Sequence, residues 1–500
     1  MPATSGAPLN PIDLAVIVVY FVLTLGIGLW MARGQRSAAD YFLGARNLPA
    51  WSVMLSIVAT ETSALTVISV PGVGATSDLT FLQLPIGYLF GRIGIAIWLL
   101  PGYFRGEQET AYARLETRFG APTRRMLSLV FLVTRFLGDG VRVFAGAIPL
   151  ALLTGWSVPA SILVLGAITL FYTWIGGIKA VIWADVIQLC VYVAGGIASL
   201  LIATHLAGGV SHAWSIAHAA GKLRVFDFHL SLTAPYTFLG GVLGGALLSA
   251  ASHGTDHLIV QRLLATKSLR DARVAIVGSG VLVIGQFLLF LLVGVALWAS
   301  GNAPAGTAPD HLFAEFVLKH LPVGLSGLVI AGILAAAMGS HSSAISALAS
   351  SLTHDQYASW TGERDPQRLL RVGRIVSIVW GTALMAAAIG FNSWTAGTNT
   401  PVVVLALSIA SVTYGALLGA YILSGAGPRF EGRDVILGTS IAMAVMLVTI
   451  FASRLAAAGM TSLAGLGRLS FPWYVPMGMV LTLAAAAVSS TILPRRPIAT

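Results

Sequence analysis

Charge is scarce in this chain of 500 residues: Asp, Glu, Lys and Arg make up 10% of it, against the ~25% of a soluble domain. Cysteine is scarcer still. Cys190 stands alone in an apolar run, which excludes a disulfide framework and a cysteine metal site. Long polar stretches are missing too. The longest loops between apolar runs, about His205–Thr237 and Gly301–Gly324, are too short for a separate soluble domain and carry amphipathic patches, such as His311–His320, that suit short surface helices. There is no nucleophile–base–orienter set, no spaced group of metal-binding side chains and no phosphate-binding loop, so an enzyme is not expected. Ser340–Ser343 reads Ser-His-Ser-Ser, but a helix sets His341 beside these serines rather than across from them.

What the chain has in quantity is apolar length. Runs of ~20 residues recur from end to end, the pattern of an all-α polytopic membrane protein with about 13 transmembrane helices. They start near Ile12, Pro49, Thr80, Arg125, Pro159, Ile182, Tyr236, Val274, Leu325, Val372, Thr400, Val435 and Phe471. The first, about Ile12 to Ala32, is too long for a signal-peptide core and is followed by Arg33 and Arg36, so it reads as a retained span. Basic residues then sort by side. One set of loops holds 21, from Arg33 and Arg36 through Arg262, Lys267 and Arg270 to Arg495 and Arg496; the other holds only Lys222, Arg224, Lys319, Arg454 and Arg468. The positive-inside rule then predicts an integral protein of the cell (inner or plasma) membrane with its N-terminus outside and its C-terminus cytoplasmic. The net charge of +10 is accordingly an orientation signal and gives no reason to expect nucleic acid.

Three polar interruptions stand out against this background. The span from Ser56 to Gly72 carries a polar patch at Thr60–Ser63, with Glu61 inside it, and ends in Pro71-Gly72. Five spans later Gly240, Gly241, Gly244 and Gly245 precede Ser252-His-Gly-Thr-Asp256. An odd number of spans reverses direction, so the two breaks face opposite ways, which is the pointer to an inverted repeat with a midplane binding site. Broken helices free backbone carbonyls and amides for ions and substrate. The third is the stretch from Ala335 to Thr353, where Gly339, Ser343, Ser346 and Ser350 fall on one helical face with Ser340 and Ser342 beside them. Lipid offers hydroxyls no partner, so this stripe meets another helix, water or an ion; hydroxyl and carbonyl oxygens are the ligands a hard cation takes.

Four segments, in order, resemble the sodium:solute symporter family: Asp40-Tyr-Phe-Leu-Gly-Ala-Arg-Asn-Leu-Pro49, Trp174-Ile-Gly-Gly-Ile-Lys-Ala-Val-Ile-Trp-Ala-Asp185-Val-Ile-Gln188, Asp256-His-Leu-Ile-Val-Gln-Arg-Leu-Leu-Ala-Thr-Lys267, and the serine-rich helix ending Thr353-His-Asp355. The resemblance covers nearly the whole chain. It implies the five-plus-five inverted repeat of the bacterial leucine transporter, with the first and sixth core helices broken. The chain 1–500 is then one transporter domain: an extra helix over 12–32, repeats over 49–206 and 236–424, and C-terminal helices over 435–493.

Carried over by position, the resemblance implies a sodium site with carbonyl ligands from Ala59, Thr62 and Ala336 and hydroxyls from Gly339 and Ser340. Gly339 departs from the Ser or Thr usual in the family, so one hydroxyl is missing, and water or Ser343 would fill in. Asp185, Ser342 and Ser343 match a second sodium site found in some members; Asp185 could instead cap or brace the helix near Trp183. The sugar-type pocket of the family lacks several parts: Val283 and Thr66 stand at its Lys and Gln positions, and its aromatic inner gate falls near Ser252. Arg135 and Asp139, at i and i+4, read as a buried ion pair that Arg142 could share. The solute-binding candidates are Glu61, Thr66, Gln83, Ser252 and His253; Arg92, on the same helix as Gln83, could be paired or snorkelling, or point to an anionic solute if it faces the cavity. Glu61 could receive an amine, hydroxyls or a proton, or bond to freed backbone amides.

The expectation is a secondary active transporter that imports a small polar organic solute with sodium by alternating access. Sodium is a coupling ion there rather than a prosthetic group. A proton-coupled symporter working through Glu61 or Asp185 stays open, as does a transporter-like membrane sensor, against which the short tail after Leu493 counts. The solute, the sodium stoichiometry and the oligomeric state are not set by the sequence.

Overall fold

The computed structural model of the chain describes residues 10–492 apart from 32, 34, 107, 304–308 and 396–401. The expected span start at Thr400, the helix ends at 32 and 493, and Arg495 and Arg496 lie outside the described residues. The described chain is helical, its one isolated β-bridge joining Leu48 to Thr266.

Helix α1 (Pro11–Met31) leads into the short α2 (Ala38–Leu43), whose start Ser37 and Asp40 close with a capping box. Helices α3 (Ala50–Glu61) and α4 (Ala64–Thr76) meet at a 69° bend. Then come α5 (Leu79–Tyr103), α6 (Ala113–Phe119), α7 (Ala121–Thr154) and α8 (Val158–Leu206). The 49 residues of α8 exceed one crossing of a ~30 Å hydrocarbon layer. Its two arms meet at Gly177, at φ 56° and ψ −155°, where a Cβ would stand 2.6 Å from the Tyr41 carbonyl oxygen. Only glycine fits that conformation and that approach.

The second half runs through α9 (Val210–Ala219), a π-helical turn (Gly240–Gly244) continuing into α10 (Gly245–Gly254), α11 (His257–Leu264), α12 (Leu269–Ala299), α13 (Pro309–His320) and α14 (Leu325–Ser351). The chain ends with α15 (Pro366–Thr395), α16 (Val402–Gly425), α17 (Gly432–Ala457) and α18 (Tyr474–Ile492). Helices α9 and α13 are the short surface helices expected in the two long loops.

Among the described residues, eight helices are long and apolar enough to cross a membrane, or nine with α3 and α4 taken as one broken span. Helix α7 is long but carries Arg124, Arg125, Arg135, Asp139 and Arg142. Helix α14 is the axis of the molecule. Its apolar window is 94% buried, against 28% for α1, because Ala, Gly and Ser let α8, α7 and α1 approach it closely.

Candidate functional site

Glu61 closes α3, Thr62 is extended (φ −82°, ψ 112°), and Ser63 starts α4. The Ser63 hydroxyl accepts the Thr66 amide at 3.3 Å while the Thr66 hydroxyl accepts the Ser63 amide at 3.4 Å, so the sequence itself restarts the helix after two residues. The Thr62 amide still reaches the Val58 carbonyl at 3.1 Å, but the break leaves the carbonyls that follow it in α3 without intrahelical donors. Thr62 is held by its own hydroxyl on the Val58 carbonyl at 2.8 Å and by Gln286 Nε2 at 2.7 Å.

A cavity of about 360 Å³ opens beside this break. Its walls include Thr60, Glu61, Thr66, Ser252 and His253, together with Arg135, Arg142 and Tyr414, and aromatic Phe81, Tyr236 and Phe471. Four of the five expected solute-binding residues are thus brought together. Gln83 is not one of them: it is fully buried, with Nε2 donating to the Thr80 and Tyr236 carbonyls and Oε1 accepting the Asp227 amide. It ties the long loop before the π-helical turn to α5, and its expected place in the pocket is corrected accordingly.

Glu61 is not a free carboxylate awaiting an amine. Arg92, buried on α5, pairs with it directly, and His253 Nε2 lies 3.4 Å away. Arg92 also donates to the Ser279 hydroxyl at 2.7 Å and touches His253 Nε2 at 3.0 Å, while Ser252 Oγ meets His253 Nδ1 at 2.8 Å. Arg135 and Asp139 form the expected pair, which Arg142 shares, but Arg135 has a closer partner as well. Its strong partner is Asp256, at 2.6 and 2.8 Å, with Asp139 at 3.5 Å; Arg142 reaches Asp139 at 3.6 Å and is the more open of the two guanidiniums.

The expected sodium ligands lie on the break and on the facing turn of α14. Ala59, Thr62, Ala336, Ser340, Ser342 and Ser343 are all buried. Thr60 Oγ1 and Ser343 Oγ are 3.3 Å apart, so the break and α14 touch through oxygen. Ser340 donates to the Ala336 carbonyl at 3.2 Å, and Ser342 and Ser343 to that of Gly339 at 3.1 and 2.6 Å. Asp185 neither caps nor starts a helix. It lies within α8, accepting Ser56 at 2.5 Å, Thr60 at 3.3 Å and Arg262 at 3.0 Å, all on Oδ2. Arg262, counted with the cytoplasmic loops, is fully buried in α11 and also donates to Ser343 at 2.5 Å. Sequence reasoning missed these long-range pairs, because nothing local marks which buried arginine meets which carboxylate.

The sequence profile of the sodium:solute symporter family matches residues 41–425. The chain is 31% identical over 453 residues to the human sodium/iodide cotransporter, covering 87% of this chain and 69% of that one. It is 26% identical over 488 residues to a sodium/sialic acid symporter of Proteus mirabilis, covering 93% and 96%, and 29% identical over 428 residues to sodium-coupled monocarboxylate transporter 2 of Danio rerio, covering 82% and 67%. A solved Na+-coupled sialic acid symporter, substrate-bound and outward-open, matches with a TM-score of 0.82 at 25% identity over 97% of this chain and 98% of that one. A nucleobase-cation-symport-1 family transporter in a closed conformation shares the fold, with a TM-score of 0.56 at 15% identity over 92% and 96%. This chain therefore belongs to the sodium:solute symporter family, as a membrane transporter rather than an enzyme, with sodium as its coupling ion.

Proposed function

We propose that this symporter takes up a small organic anion through the cavity beside Glu61, with sodium seated between the α3–α4 break and α14. The observation that carries the sodium seat is the oxygen contact of Thr60 with Ser343, which sets the open carbonyl end of α3 against the hydroxyl face of α14. Ala59, Thr62, Ala336 and Ser340 supply the oxygens of that seat. Asp185, Ser342 and Ser343 stand beside it, where Arg262 already supplies a fixed positive charge. A sodium ion there ties α14 to α3, favouring the state in which the solute site is formed. Coupling is then a population shift, since each ligand binds one state better than the other.

The solute class follows from charge. Glu61 is neutralised by Arg92, and Arg135 by Asp256, so neither is available to a charged solute. Arg142, 30% exposed and held only loosely by Asp139, is the cation presented to the cavity. The relatives' named solutes, iodide, monocarboxylate and sialic acid, point the same way. Glu61, Thr66, Ser252 and His253 then contact the polar remainder of the solute. The cavity's volume suits an organic acid of modest size.

The membrane frame belongs to the same reading: thirteen crossings in one domain, repeats over 49–206 and 236–424, N-terminus outside and C-terminus cytoplasmic. Uptake by proteoliposomes of a panel of labelled monocarboxylates, sugar acids, neutral polyols and amino acids is the test. Uptake of anions that collapses when choline replaces sodium outside is expected. Uptake confined to neutral or cationic compounds would overturn the solute class.

A further inference from the structure

We propose that Phe471 sets the solute selectivity of this symporter, and that the anion taken up carries an apolar ring held away from its carboxylate, as in an aryl-substituted hydroxy acid. This selectivity rests on the reading above of Arg142 as the cation that receives the solute's charge.

The cavity has a polar end and an aromatic end. Thr66 and Val73 both line it, two turns or about 10 Å apart on α4, so it extends well beyond the break. On α12, Ser279 bonds Arg92, the partner of Glu61, whereas Phe287, two turns further on, stands in the wall. There the wall is a run of four rings. Phe287 and Phe81 lie 5.3 Å apart centre to centre, Phe81 and Tyr236 5.0 Å, and Tyr236 and Phe471 6.3 Å. Of these rings only Tyr236 carries a polar atom. The hydroxyls of a sugar acid would leave water there for few partners, which costs binding; an apolar ring gains by burial and by edge and face contacts.

Phe471 is the ring supplied from outside the family-wide part of the chain. The family profile stops at residue 425, and Phe471 opens the 3₁₀ turn (Phe471–Trp473) that leads into α18. Its place is tightly set. The Ser470 amide donates to the Leu232 carbonyl at 2.9 Å and the Ser470 hydroxyl to the Ala234 carbonyl at 3.3 Å. A Cβ on Gly244 would stand 2.6 Å from the Pro472 carbonyl oxygen, and one on Gly415 2.6 Å from that of Val475, so two glycines let this segment close on the π-helical turn and on α16. Val475, also in the wall, packs with Tyr414. The Tyr414 hydroxyl accepts Arg135 at 3.0 Å, and its ring shares a small hollow with Arg142. The segment thus runs from the guanidiniums at Val475 to the rings at Phe471. A solute whose carboxylate meets Arg142 lays its remainder along it.

The test is sodium-driven uptake by proteoliposomes of lactate, of phenyllactate (lactate with a ring added), of the polyhydroxy acid gluconate and of neutral inositol. The parent is expected to take phenyllactate at a half-saturating concentration at least about tenfold below that of lactate or gluconate. Phe471→Ala is expected to cut that advantage about tenfold, raising the value for phenyllactate while that for lactate moves less than about threefold. Phe471→Tyr, which keeps a ring, is expected to hold the advantage within about threefold of the parent. Anion uptake without a preference for phenyllactate overturns the solute class and leaves the anion reading standing. Uptake of inositol with none of the three anions overturns both. A Phe471→Ala protein that loses phenyllactate and lactate equally makes Phe471 a structural prop and overturns its role in selectivity. Should Phe471→Ala fail to fold, Phe471→Leu decides: its advantage for phenyllactate is expected to fall at least about threefold, and an unchanged advantage overturns the proposal.

Discussion

The two breaks of the core carry a carboxylate each, and the carboxylates are held in opposite ways. Asp256 starts α11, where its Oδ1 accepts the Leu258 amide at 2.9 Å and the positive end of the helix dipole welcomes it. Its other oxygen takes both donors of Arg135. Glu61 ends α3, where the dipole opposes a negative charge, and its stability there depends on Arg92 and His253 from other helices. One break is braced by its own helix; the other is held from outside. The break at Asp256 is a fixed joint, and the break at Glu61 is the place where a ligand can change the balance.

Breaking the fixed joint should have the largest effect. Asp256→Ala removes a cap worth ~1 kcal/mol and strands Arg135 in a buried site, for a combined loss of about 3–5 kcal/mol. Thermal unfolding in detergent should show a drop of several degrees or no folded protein. Asp256→Asn, which keeps the cap and loses the charge, should fall between. A melting temperature indistinguishable from the parent in both would show that the second break needs no brace.

The external hold on Glu61 is tested next. Glu61→Gln keeps an acceptor for Arg92 and removes the charge, and should weaken solute affinity about tenfold while shifting the sodium requirement less than threefold. Equal losses of both would make Glu61 an ion-coupling or structural group. Ser340→Ala probes the far side of the same break. Removing one of several sodium ligands should raise the sodium concentration for half-maximal uptake about three- to tenfold. An unchanged sodium curve takes Ser340 out of the seat.

Much of this contrast was legible in the sequence. Apolar run length marked an all-helical membrane protein, since water-free surroundings leave a helix little choice. Thr60–Ser63 and Ser252–Asp256 marked the breaks, because polar residues and glycines interrupt an apolar run only where something uses them. Gly339 stood out as a missing hydroxyl. What was not legible is which charge meets which. Arg92 lies 31 residues from Glu61, Arg135 lies 121 from Asp256, and Arg262 lies 77 from Asp185. The i, i+4 spacing of Arg135 and Asp139 marked their local pair, but not the shorter bonds that the arginine's planar fork makes to Asp256. Gln83 misled for a related reason: an amide in a membrane helix looks like a ligand group, whereas its two ends close loop hydrogen bonds that sequence gives no means to see.

The smallest effect concerns the C-terminal end of α4, beyond the first break. Lys222 donates to the Ala75 and Ser77 carbonyls at 2.7 and 2.8 Å, finishing the end of α4, and Arg224 pairs with Asp78 at 2.9 Å. Burial works upward on the Asp78 carboxyl, but the hydroxyl and amide of Thr80 and then Arg224 outweigh it and hold the group below its usual 3.8. A carboxylate lowered in this way contributes stability above its unfolded pKa and loses it as pH falls through the folded one. The latch is thus fully charged at pH 6 and at pH 8. Because Arg224 is largely exposed, the pair is worth about 0.5 kcal/mol or less. Asp78→Asn should lower the melting temperature by no more than about 2 °C, and by the same amount at both pH values. A gap that widens between pH 8 and pH 6 would mean that Asp78 takes up a proton in that range. The loop over the first break would then respond to acidity, and the external hold on that break would extend beyond Arg92 and His253.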